Sequence, residues 1–480
     1  MAANNDQRDL VILGGGVGGL IIASVAGQLG LKVTLIEKTE RLGGDCLHYG
    51  CVPSKTLIQS AKVASLMRRG EEFGLPRVAP EVELGRVMKH VADVIAVIQK
   101  NDDPERFRGY GCEVIFGGAR FLDAHRVEVN GKTITGRRFV IATGSSPAVP
   151  PVDGIGRVEY LTNETVFSHD HLPGRLLVLG GGPIGVELAQ AFLRLGSQVV
   201  LVQRNRNLLP KEDADIAIAL REQLVREGME IHTEVNAERI QRKNGSLELA
   251  CSGGLNLEGD TLLIASGRKP NIEALDLNAA GVAHDKRGIT VDPRLRTSQK
   301  HIFGCGDVCG PFPFTHMAEY QAGIVISNAV FRWPKKMDYS VVPWVTYTDP
   351  EVGRVGLSEA QAYAAYGERA RVSAVQMSAM DRPRCAGEPE GFVKLVAAPG
   401  RVLRGTPFLK LVGMTAVCTR GGELIGEGAL AMRAGMLLAR LAQTIHAYPT
   451  WSIPTRFAAA SFFGDFDGLT ARPAQPDPTQ

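Results

Sequence analysis

No stretch of this 480-residue chain is apolar for long enough to span a membrane. Gly, Gln or Arg breaks each apolar run well short of the roughly 20 residues a span needs. An excess of one charge is also missing. The 54 Lys and Arg residues face 51 Asp and Glu, for a net charge of +3, and no basic block stands out. That balance gives no footing for nucleic-acid binding. The opening residues, MAANNDQRDL, lack the charged-then-apolar order of a signal peptide. Cysteine is scarce, with eight residues at 46, 51, 112, 251, 305, 309, 385 and 418. This is too thin for a secreted disulfide scaffold and fits a reducing, cytoplasmic setting. There, a close pair is more often catalytic or metal-binding. The length implies about three domains.

What is present begins with glycine. The apolar run 9–13 meets Gly14-x-Gly16-x-x-Gly19, and a helical pattern follows from Leu20 to Leu29. A second strand, Lys32 to Ile36, ends in Glu37 and Lys38. In such a βαβ unit the first glycine makes the tight turn and the second lets backbone approach a pyrophosphate. The third lets helix and strand pack closely, and the acid bonds an adenosine ribose. The helix N-terminus then faces the phosphates. The pattern recurs: Leu176–Leu179 leads to Gly180-x-Gly182-x-x-Gly185, a helix from Val186 to Leu195 and a strand from Gln198 to Val202. Here Gln203 takes the place of the acid, and Arg204 and Arg206 follow. A carboxylate repels a ribose 2′-phosphate and arginines pair with it, so this site favours NADPH over NADH. The plainer alternative is that both arginines are solvated loop residues. Two such sites imply one tightly held flavin and one exchanging nicotinamide.

Directly after the first unit comes Gly43-Gly44-Asp45-Cys46-Leu47-His48-Tyr49-Gly50-Cys51-Val52-Pro53-Ser54-Lys55. Two cysteines five apart at a helix start can close into a disulfide, and the helix N-terminus lowers a thiolate pKa. An inert structural disulfide or half a zinc site is the bland alternative. No second Cys/His pair lies nearby at ligand spacing to support it. The segment resembles the redox-active disulfide of the class I pyridine nucleotide–disulfide oxidoreductases, which include dihydrolipoamide dehydrogenase, glutathione reductase and mercuric reductase. The resemblance covers nearly the whole chain. Ala142-Thr143-Gly144 and Ala265-Ser266-Gly267-Arg268-Lys269-Pro270-Asn271 are similar to the turns bordering that family's nucleotide domain. Phe303–Asp307 resembles its second FAD motif, and Thr315–Glu319 the segment under the isoalloxazine. Val342–Gly356 looks like the opening of its dimerisation domain.

The resemblance implies an α/β fold with two Rossmann-like domains, for FAD and NAD(P), and a C-terminal α+β dimerisation domain. Its expected parts are an FAD domain over 1–150, an NAD(P) domain over 151–269, a return to the flavin domain over 270–338 and a dimerisation domain over 339–468. The Pro-rich end, 469–480, reads as a disordered tail. By the same resemblance Cys51 is the thiolate nearer the flavin and Cys46 the interchange thiol. Lys55 sits by flavin N5 and pairs with Glu187. Gly44, Thr143, Gly144, Gly267, Asp307 and Ala318 contact the cofactors. The expected assembly is a homodimer acting on a small-molecule disulfide or a metal ion, with no resident metal. Cys305 and Cys309 read as small buried thiols, and Cys112, Cys251, Cys385 and Cys418 as single structural cysteines.

The pattern fails at Pro183, where several members have a Tyr that gates the nicotinamide, and again near the C-terminus. The disulfide-reducing members carry a His-Pro-Thr segment with a Glu five residues after the His. Here the segment is His446-Ala447-Tyr448-Pro449-Thr450, with Tyr448 for the His and Ile453 for the Glu. At pH 7 an imidazole of pKa about 6.5 is mostly neutral and can take a proton, whereas a phenol of pKa about 10 is ionised in roughly one molecule per thousand. Tyr448 is therefore a poor base, though it can donate a hydrogen bond or ligate a metal. His446 reads as structural. A Tyr here is similar to mercuric reductase, yet that enzyme's tail cysteine pair has no counterpart after Cys418. A disulfide acceptor stands first, a metal ion second and an FAD-binding assembly protein without turnover third.

Overall fold

The strand Leu10–Leu13 reads Leu-Val-Ile-Leu and is buried at all four positions, as a parallel strand covered on both faces must be. In the computed structural model, which describes residues 7–400 and 408–476, it is the middle of a five-stranded sheet. The order is Ile302–Gly304, Phe139–Ile141, Leu10–Leu13, Val33–Glu37 and Cys112–Phe116, all parallel. Leu10 and Ile12 point to the side of the helices Val17–Gln28 and Thr315–Val325. Val11 and Leu13 point to the other side, where Phe121 and Val127 of a three-stranded antiparallel sheet cover them. The alternation is the strand's period of two.

The second unit repeats this plan. Its parallel sheet runs Glu230–Thr233, Gln198–Gln203, Arg175–Leu179, Thr261–Ile264. The chain enters and leaves it through two short strands, Ser145–Pro147 and Arg268–Pro270, which pair antiparallel. Beside them Thr143 Oγ1 donates to the Asn271 carbonyl at 2.7 Å, and Asn271 Nδ2 donates to the Thr143 carbonyl at 2.9 Å. The border turns read from the sequence are thus one joint.

The C-terminal part is a six-stranded antiparallel sheet ordered Pro343–Thr346, Glu351–Gly356, Leu409–Cys418, Phe392–Pro399, Arg371–Gln376, Arg472–Pro473. The last strand corrects the expected disordered tail and the end of the domain at 468. Residues up to 476 are packed: Arg371 pairs with Pro473, Ala471 and Ala474 are buried, and the Ala474 N–H donates to the Ala370 carbonyl at 2.9 Å. Small apolar residues at 471 and 474 fill the surface beside an edge strand, where proline costs no ladder bond. Residues 477–480 lie outside the described part.

Lys394, 1 % exposed, fixes this sheet to the second unit. Its ammonium meets Asp213 at 2.9 Å and Asp215 at 2.8 Å, on the start of the helix Ala214–Arg226. Among the described residues no helix is long and apolar enough to cross a membrane.

Candidate active site

The helix Val17–Gln28 begins at Gly16 without a side-chain cap, so its first N–H groups are left to whatever lies in front of them. The turn that feeds it is closed to any side chain. Gly14 has φ +112°, and a Cβ there would stand 2.3 Å from the Ala142 carbonyl oxygen; one on Gly19 would stand 1.9 Å from that of Gly14. Glu37 steadies the loop by accepting from the Gly15 N–H at 2.7 Å and from the Thr39 N–H at 2.9 Å. The second unit has the same build. Its helix Pro183–Leu195 starts at Gly182, again without a side-chain cap, and Gln203 accepts from the Gly181 N–H at 3.3 Å. Gln203 thus keeps the loop bond of Glu37 and drops the charge.

Both helix starts open on one cavity of about 1700 Å³. Glu37, Lys38, Gly44, Thr143, Gly144, Asp307 and Ala318 line its first half. Gly180, Gly182, Gln203, Arg204 and Gly267 line its second, and Cys46, Cys51, Lys55 and Glu187 stand on its wall. Two uncapped helix N-termini at one long cavity fit two pyrophosphates, and so fit FAD and a nicotinamide nucleotide. Gly19 and Gly185 are absent from the wall because they sit where helix meets strand. Arg206 is also off it, which leaves Arg204 as the arginine of that loop in the cavity.

Cys51 is the first residue of the 18-residue helix Cys51–Arg68 and opens to the cavity, while Cys46 is half-buried on the short helix Gly44–His48. Both are thiols in this structure. The hydrogen bond from Cys46 pulls the Cys51 thiol down to about 6. Burial opposes that pull, and Thr315 Oγ1 at 3.3 Å and the Lys55 ammonium add to it. Cys46 shifts the other way, raised by the same hydrogen bond and by burial. The hydrogen bond thus favours the proton on Cys46 and the charge on Cys51. Lys55 Nζ lies 2.8 Å from Glu187 Oε2 and 4.4 Å from the centre of the Tyr347 ring. Burial pulls its pKa down, but Glu187 and Cys51 outweigh that and leave it above the usual value. Glu187 also accepts from the Tyr347 N–H at 2.8 Å.

Asp307 accepts from Ser145 Oγ at 2.6 Å. Burial still holds its carboxyl above the usual range, despite that bond and the Arg268 guanidinium. Thr315, Tyr347, Asn163 and Arg268 belong to this site without having been singled out in the sequence. Thr315, Arg268 and Tyr347 lay in motifs already noted; Asn163 had no local signal.

Tyr448 stands apart. It is 73 % exposed, lies off the cavity of its own chain and donates to Asp381 Oδ2 at 2.8 Å. His446 is half-buried, with Nε2 2.8 Å from Glu427 and Nδ1 3.0 Å from the Thr444 carbonyl. Both ring nitrogens face acceptors of its own chain, so neither is turned towards a substrate.

Comparison with known proteins agrees with this geometry. The model of the pyridine nucleotide-disulphide oxidoreductases matches residues 8–322, and that of their dimerisation domain matches residues 342–456. A mercuric reductase of Lysinibacillus sphaericus is 35% identical, over 96% of this chain and 84% of its own length. A dihydrolipoyl dehydrogenase of Thermus scotoductus is 36% identical, over 92% of this chain and 95% of its own. Among solved structures, a Cu(II) complex of the HOCl-induced flavoprotein disulfide reductase RclA from Escherichia coli superposes with a TM-score of 0.84. It shares 28% identity and covers 95% of this chain and 99% of that one. This chain belongs to the pyridine nucleotide-disulphide oxidoreductases, FAD-dependent enzymes that use NAD(P)H.

Proposed function

We propose that this protein takes electrons from NADPH and delivers them, through the Cys46/Cys51 pair, to a small-molecule disulfide. The observation that carries the reading is the single cavity wall holding both uncapped helix starts, the Lys55–Glu187 pair and the Cys46/Cys51 pair, with Thr315 Oγ1 3.3 Å from Cys51. Bound FAD supplies the two-electron relay between nicotinamide and disulfide. The chain supplies the rest. Closing the cycle, the Cys46–Cys51 disulfide takes two electrons and one proton to give the Cys46 thiol and the Cys51 thiolate. Cys46 then bonds one sulfur of the acceptor as the acceptor's own S–S bond breaks, and the Cys46 proton goes to the other sulfur, which leaves as a thiol. Cys51 attacks Cys46, the disulfide reforms and the second acceptor sulfur departs.

Arg204 in the cavity, with Gln203 in place of a carboxylate, supports NADPH over NADH. Arg204→Ser removes one charge-assisted hydrogen bond of about 1.5–3 kcal/mol. The KM for NADPH should rise roughly 10- to 100-fold, with that for NADH little changed; equal effects on both would contradict the assignment. The dimerisation domain and the exposure of Tyr448 support a homodimer in which Tyr448 of the partner subunit covers the pair. The sparse cysteines, eight in 480 residues, support a cytoplasmic setting.

One observation favours a metal ion as acceptor instead. A phenol replaces the expected imidazole, and relatives named mercuric reductase match along 96% of the chain. A thiol pair is a soft ligand set. Enzyme reduced with NADPH under anaerobic conditions should be mixed separately with lipoamide, glutathione disulfide, Hg(II) and Cu(II). Reoxidation by a disulfide faster than by oxygen is expected. Reoxidation by the metals alone would replace the first reading with the second, and none faster than oxygen would overturn both.

A further inference from the structure

Asn163 lies far from the cysteines in sequence but is 6 % exposed against their loop. Its Nδ2 donates to Asp45 Oδ1 at 3.1 Å and to the Tyr49 carbonyl at 3.1 Å. These two acceptors bracket Cys46 and the turn that leads to Cys51. An amide nitrogen has two hydrogens, and here each is spent on one flank of the redox loop. Asp45 also pairs with Arg268 Nη2 at 3.1 Å. Arg268 in turn donates from Nε to Ser145 Oγ at 2.7 Å and from Nη2 to the Ser145 carbonyl at 2.7 Å, on the joint between the two nucleotide units.

The turn that carries Asn163 is itself anchored. Leu161 exchanges backbone hydrogen bonds with Leu262 and Ile264 of the second sheet, at 2.7 and 2.8 Å. The Thr162 N–H donates to Thr165 Oγ1 at 2.9 Å, which fixes the next residues. The second nucleotide unit thus reaches into the first and grips the loop on both sides of the interchange cysteine.

We propose that Asn163 is a positioning residue for the redox pair, a staple that holds the Cys46 and Cys51 sulfurs where they can close, with Arg268 locking the staple to the joint. The inference rests on the reading of Cys46/Cys51 as the electron-carrying pair. A staple acts by raising the effective concentration of one thiol at the other, and that quantity sets how reducing the pair is. A residue that only helped the chain fold would not move it.

The test is the midpoint potential of the pair in the FAD-loaded protein. It is measured by equilibration with glutathione buffers and maleimide counting of Cys46 and Cys51. In Asn163→Leu, which keeps the volume and removes both donors, the potential should rise by about 30 mV, the equivalent of a tenfold loss of effective concentration. Asp45→Ala should move it the same way, and the double variant should move it less than the sum, because both changes cut one contact. If Asn163→Leu loses its flavin, Asn163→Ser, too short to span both flanks, takes its place under the same criteria. Flavin-loaded variants with an unchanged potential, or with strictly additive shifts, would overturn the staple. If the wild-type pair does not behave as a two-electron couple at all, it is the redox-pair reading that fails.

Discussion

Cys51 meets three pulls towards the thiolate: the Cys46 thiol, Thr315 Oγ1 and the Lys55 ammonium. A thiol whose pKa falls on folding contributes stability above its unfolded value, near 9, and that contribution disappears as pH falls through about 6. The same shift sets the proton count of reduction. Above a pH of about 6 the pair takes up one proton per two electrons, and below it two. Its potential should therefore change by about 30 mV per pH unit on the alkaline side and about 60 on the acid side. A redox titration across this range should show the break near pH 6; one steep slope throughout would contradict a Cys51 thiolate. Lys55→Met removes the nearest cation, so the break should move towards the ordinary thiol range. The rate of NADPH oxidation should fall at least about tenfold, the effect of losing roughly 1.4 kcal/mol at the barrier. An unmoved break would detach Lys55 from the pair.

At the scale of elements, Lys394 is the contact to cut. Lys394→Met leaves Asp213 without its buried cation, and losing one partner of a buried pair costs about 3–5 kcal/mol. Urea unfolding should show that loss, and a change below about 1 kcal/mol would mean that the cluster is hydrated. The two βαβ units were legible because their signals are local: apolar runs, glycines and helical periodicity within about 30 residues. The observed helices Val17–Gln28 and Pro183–Leu195 start only three residues before the sequence patterns at 20 and 186. The final strand was not legible, since the pairing of Arg371 with Pro473 spans 102 positions and its prolines read as unstructured. Asn163 was hidden for the same reason: a single amide in a turn has no motif, and its partner lies 118 residues away.

At the scale of the whole molecule, the site is complete within one chain except for the position that Tyr448 now holds. If Tyr448 works across a homodimer, chains carrying Cys51→Ser and chains carrying Tyr448→Phe should complement each other. After random reassociation of equal amounts about one quarter of the sites should be intact, where each variant alone has none. No recovery over the separate variants would place the tyrosine outside the reaction. In the proposed cycle, electrons rest on Cys46/Cys51, with the charge on Cys51 facing FAD. Anaerobic titration with NADPH tests it most directly. Two electrons per FAD should produce two new maleimide-reactive thiols and a long-wavelength thiolate-to-flavin absorption that fades as pH falls through about 6. Cys51→Ser should lack that absorption. Bleaching of the flavin at two electrons, with no new thiols and no such absorption, would contradict the account.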